Sequence, residues 1–147
     1  MNSFICLSLS PIELTHPGLA VATIRAGGVG VLDLEFCSKS VGDSEINNAV
    51  RNLDRLLELV NSGDAVGLRL PEEGIAQSQM LLSRLSGRPH WLILCRWKPQ
   101  EIEEAIASLP PCPTRKLLLE VTDVDQALAL SAELRGGYGG VHGLVAK

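Results

Sequence analysis

Seven polar residues, Ser10, Glu35, Arg69, Arg96, Thr122, Asp123 and Lys147, each stand near the carboxyl end of a short apolar run. In a parallel sheet, open or closed into a barrel, ligands bind at the carboxyl ends of the strands. Guanidinium groups offer bidentate donors and a lysine ammonium offers a point charge. Arg69, Arg96 and Lys147 on one rim therefore favour an anionic ligand or a flavin. Each of the seven taken singly also has a plainer use, capping a helix or meeting solvent.

Other residue types offer less chemistry. His16 precedes Pro17, His90 opens an apolar run at the opposite rim and His142 lies inside one. A general base must reach a shared cleft, and His90 is badly placed for it. No Ser–His–Asp set or acidic pair stands out, and no catalytic residue is assigned. Gly27-Gly28-Val29-Gly30 and Gly136-Gly137-Tyr138-Gly139-Gly140 precede apolar runs. A dinucleotide fingerprint follows a strand and opens a helix, so both read as helix stops with a tight return. Cys6, Cys37, Cys95 and Cys112 lack the close spacing of a zinc site, no metal is expected, and the expectation is buried free thiols.

The elements that must position these residues follow from a hydrophobic period that switches repeatedly between continuous runs and helical spacing. Runs cover 4–9, 30–36, 65–70, 91–95, 116–121 and 141–146. Between them lie helical stripes such as Ile46, Ala49, Val50, Leu53, Leu57 and Val60, and Ile102, Ala105, Ile106 and Leu109. Pro99 suits a first-turn position, and Thr122 reads as an N-cap with Asp125 completing a weak capping box. Six alternations of about 25–35 residues are the size of βαβ units, which implies parallel strands joined by right-handed crossovers. Two architectures satisfy this pattern, an open doubly wound sheet and part of a (β/α)8 TIM barrel. A complete barrel takes about 250 residues, so six units are three-quarters of one.

Composition narrows the function classes. The 147 residues read as a single α/β domain, 46% hydrophobic but only 3% aromatic, a diet suited to strands buried on both faces. A net charge of −4 with no basic stripe argues against nucleic-acid binding. The N-terminus lacks a basic n-region, and no stretch is long enough to span a bilayer. The expected location is the cytoplasm.

The passage His16-Pro17-Gly18-Leu19-Ala20-Val21-Ala22 through Arg25-Ala26-Gly27-Gly28-Val29-Gly30-Val31-Leu32-Asp33 resembles the first βαβ unit of the nitronate monooxygenase (2-nitropropane dioxygenase) family. There a strand ending in proline leads into P-x-L-A-x-A-x-x-x-A-G-G-x-G. The final Gly143-Leu144-Val145-Ala146-Lys147 is similar to the sixth strand of that barrel, and the spacing agrees along the whole chain. The detail most resembles versions embedded in bacterial polyketide synthases. The resemblance implies the N-terminal part of an FMN-binding (β/α)8 barrel, with about six of its parallel strands. Its chemistry would be monooxygenation or an enoyl-reductase-like step on a small or acyl-type substrate. By position it implies that the backbone of Ser10 and Pro11 lies near the flavin ring and that Lys147 is the polar residue closing the sixth strand.

Two departures bear on activity. Family nitronate oxidisers carry a histidine at the end of the fourth strand, and this chain reads Leu94-Cys95-Arg96-Trp97 there. The loops that hold the flavin phosphate follow strands seven and eight, so this chain alone is expected to bind FMN weakly or not at all. Three readings follow. One is a portion of an FMN-dependent oxidoreductase domain of a polyketide or fatty-acid-type synthase. Another is a non-catalytic scaffold or docking module, its open sheet edge covered by a partner or by the rest of the synthase. The last is an aldolase-like barrel with Lys147 as a Schiff-base lysine.

Overall fold

A computed structural model of the chain describes residues 5–11, 16–34, 43–71, 75–95, 107, 111–135 and 141–146. Six strands alternate with helices: β1 Leu7–Pro11, α1 Gly18–Arg25, β2 Val29–Asp33, α2 Asp43–Leu59, β3 Val66–Pro71, α3 Ile75–Arg84, β4 His90–Cys95, β5 Arg115–Val121, α4 Val124–Arg135 and β6 Val141–Ala146. Apart from Ala107, the helix expected from Pro99 falls outside the described residues, as do Glu35, Cys37, Arg96, Gly136 to Gly140 and Lys147.

Every neighbouring pair of strands is parallel, and the spatial order follows the chain, β1-β2-β3-β4-β5-β6. A doubly wound sheet reverses its strand order at a switch point. This one does not, and its curled six strands form an incomplete α/β barrel.

Side-chain alternation sorts the aliphatic runs into two layers. Leu32, Leu68, Leu92, Leu94, Leu117 and Leu119 face the helices and pack with Ile24, Leu53, Leu56, Leu82 and Leu85. Val29, Val31, Ile93 and Leu118 face the concave side, with half-buried Leu7, Ala65, Trp91 and Val145 beside them. Both faces of the central strands are thus covered. That is why their sequences run on without polar alternation.

The glycines of the 16–33 passage have packing reasons. Gly27, at φ +83°, ends α1; its N–H bonds to the Ile24 carbonyl and that of Gly28 to the Thr23 carbonyl, a Schellman closure. A methyl group at position 30 would stand 2.3 Å from the Ala20 carbonyl oxygen, so Gly30 lets α1 lie directly on β2.

Two local expectations change. The N-cap of α4 is Asp123, not Thr122: Asp123 Oδ1 accepts the Gln126 N–H at 2.7 Å, and Gln126 Oε1 accepts the Thr122 N–H at 2.9 Å. The carboxylate one residue later has the reach to bond the exposed first-turn N–H groups. The cysteines are not uniformly buried either. Cys95 is, but Cys112 is half-exposed and Cys6 is exposed because β1 begins after it, at Leu7.

Candidate functional site at the carboxyl ends of the strands

The end of β2 and the carboxyl halves of β3 and β5 each carry one charged residue on the concave face. Arg69 Nη1 donates to both Asp33 oxygens, at 3.0 and 2.8 Å, and Arg69 Nε donates to Glu120 Oε2 at 2.7 Å. The guanidinium reaches across β4 to do this, since β3 and β5 are not neighbours. All three residues are buried, at 3%, 5% and 6% exposure for Arg69, Asp33 and Glu120. Arginine suits the role because its planar fork meets two carboxylates from different edges. The cluster ties three strands together near their carboxyl ends.

Of the residues expected at this rim, the structure brings Arg69 and Pro11 to the concave side. Pro11 is exposed and lies opposite Asp33 in the β1–β2 register. Ser10 goes the other way. Its side chain faces the helices, 1% exposed, and its Oγ accepts the Ala20 N–H of α1 at 3.1 Å. Helix α1 has Pro17 at its N-cap and no cap from its own sequence, so the strand serine supplies one. Thr122 and Asp123 are exposed and serve α4. Arg96 and Lys147, like Glu35, lie outside the described residues.

Asp33 and Glu120 were not singled out from sequence, yet a signal was there. Each is a carboxylate set among aliphatic residues, Val31-Leu32-Asp33-Leu34 and Leu117-Leu118-Leu119-Glu120-Val121, as Arg69 is a cation in Leu68-Arg69-Leu70. Charges buried in such runs require partners. Opposite signs on parallel strands are the economical pairing.

His90 and His142 are occupied elsewhere. His90, at the amino-terminal rim, lies 3.0 Å through Nδ1 from the Arg88 carbonyl and accepts Arg115 Nε on Nε2 at 3.1 Å. That arrangement is the neutral tautomer. Burial holds its pKa below the usual imidazole value; the Arg88 carbonyl opposes this and Arg115 adds to it. Cys112, 3.8 Å from the same ring, has a thiol pKa lowered chiefly by its hydrogen bond with Thr114. His142 sits at a bulge. Leu117 pairs with Val141 and Leu118 with Gly143, and the intervening His142 accepts the Leu117 N–H on Nδ1 at 3.1 Å.

Two of the polar side chains expected at the rim are engaged within the fold. The Ser10 hydroxyl is spent on α1, and the Arg69 guanidinium is held between two carboxylates. Among the described residues no group of three or more His, Cys, Asp and Glu side chains could hold a metal ion. No described helix is long and apolar enough to cross a membrane. No protein family, curated protein or solved structure matches the chain.

Proposed function

We propose that this chain is the β1–β6 portion of a cytoplasmic, nitronate monooxygenase-like oxidoreductase barrel, part of a polyketide or fatty-acid-type synthase. The observation that carries the reading is the strand order, six parallel strands in chain sequence with all carboxyl ends at one rim. The α1–β2 passage supports it, because its family-like spacing falls on the helix and strand that the resemblance requires. FMN, when bound, supplies the redox chemistry. In this reading its contacts come from groups other than the Ser10 hydroxyl and the Arg69 guanidinium, the backbone at Ser10 and Pro11 among them, and the buried cluster keeps the rim's shape. The substrate would be small or acyl-type.

A second reading, a non-catalytic docking module, is favoured by the engagement of the Ser10 hydroxyl and the Arg69 guanidinium within the fold. One experiment separates the two. The polypeptide as encoded, read beyond Lys147 through any further strand–helix units, is purified and its flavin absorbance recorded, alongside FMN titration of residues 1–147. The oxidoreductase reading expects a yellow longer protein and no tight binding by the shorter one. A folded, colourless longer protein that gains no flavin on titration refutes it and leaves the docking module.

A further inference from the structure

Two successive helix pairs, α1–α2 and α2–α3, touch through one repeated position. In α1 the core-facing residues are Ala20, Val21 and Ile24, and Arg25, one residue on, donates through Nη2 to the Leu59 carbonyl of α2 at 3.2 Å. In α2 the core-facing residues include Ala49, Val50 and Leu53, and Asp54, again one residue on, pairs with Arg84 of α3. At about 100° per residue, a side chain one step past a core position points sideways, and the two contacts show that this side is the one toward the next helix in the chain.

In α4, half-buried Ala127 and buried Leu130 face the sheet. The residue one step past Ala127 is Leu128, and Val124 lies one turn before it. Here the sideways stripe is aliphatic rather than charged, and it is bare, Val124 at 73% and Leu128 at 64% exposure. Two large aliphatic side chains so exposed at a spacing of four form a ridge of the kind that packs against another helix. By the rule that α1 and α2 obey, the neighbour on that side is the helix next after α4, the one that follows β6.

We infer that Val124 and Leu128 are the seat for an amphipathic helix following β6 in the same polypeptide, whose aliphatic stripe closes the flank of α4. The inference rests on the barrel reading above, and it names which surface of this chain the rest of the barrel engages.

The test uses the polypeptide as encoded beyond Lys147 and compares Leu128→Asp with Ala129→Asp, an exposed position on a different flank of α4. The inference expects Leu128→Asp to raise the unfolding equilibrium constant about 10- to 100-fold, the cost of uncovering a buried leucine, and Ala129→Asp to change it by less than about threefold. Equal effects of the two substitutions overturn it. So does a reading frame that stops at Lys147. So does a Leu128→Asp effect that vanishes on dilution, because the cover is then a second molecule. Flavin absorbance is read on the same samples. A yellow protein indifferent to Leu128→Asp sinks the seat but not the oxidoreductase, whereas a colourless protein sensitive to it does the reverse.

Discussion

Replacing Arg69 by methionine keeps the length and most of the volume of the side chain but removes the cation between Asp33 and Glu120. Both carboxylates then stay on the concave face, 5% and 6% exposed, without the guanidinium donors that reach them at 2.7 to 3.0 Å. Breaking a buried ion cluster by deleting one partner costs about 3–5 kcal/mol, because charge is left uncompensated in a poorly solvated site. A domain of this kind holds about 5–15 kcal/mol in total, so the loss is large. With a urea m-value of about 2 kcal/mol/M it corresponds to a midpoint shift of roughly 1.5–2.5 M. The assay is equilibrium urea unfolding followed by far-ultraviolet circular dichroism at pH 7. The same reasoning says that the ion cluster as a whole contributes little, since desolvation offsets most of the Coulomb attraction. The triple replacement Asp33→Leu, Arg69→Met, Glu120→Met therefore recovers most of the lost stability. An Arg69→Met midpoint within about 0.5 M of wild type, or a triple variant less stable than the single one, would refute this account of the cluster.

Other outcomes follow from particular contacts. Ser10→Ala removes the acceptor for the Ala20 N–H and lowers stability by about 1 kcal/mol, measured as a urea midpoint, with FMN titration of residues 1–147 unchanged. Gly30→Ala places a methyl group 2.3 Å from the Ala20 carbonyl oxygen and destabilises by about 1–3 kcal/mol or more, seen as a lowered midpoint or loss of soluble protein. His90 carries a depressed pKa in the fold, so below about pH 6.5 the unfolded chain binds the extra proton and the folded chain resists it. Stability from this group is complete above that pH and falls away as the pH drops toward the folded value. His90→Gln should flatten the decline in urea midpoint between pH 7 and 5, and an unchanged slope would rule His90 out as its source.

Much of the fold was legible because its signals are local. Aliphatic runs such as Leu92-Ile93-Leu94 need cover on both faces, which a parallel α/β sheet supplies when such runs alternate with helical stripes, and Gly27-Gly28 marks a helix end by its tolerance of positive φ. The choice between barrel and open sheet was not local, since it depends on which strand lies beside which. The rim was legible as a place and less so as a set of contacts. Ser10 sits at the right end of β1, but a shift of one residue in a strand exchanges faces, and its hydroxyl turned out to serve α1. Arg69 was visible, while its partners are 36 and 51 residues away in sequence. Only the strand order brings them within reach.

Nuclear Overhauser contacts between backbone protons of adjacent strands in the isotope-labelled chain test the strand arrangement directly. The account predicts parallel-type contacts in the registers Gly30 with Val66, Leu68 with Leu92, and Leu92 with Leu117. Close Hα–Hα contacts of the antiparallel kind between any of these strands, or a β1 strand paired with β3 instead of β2, would contradict it.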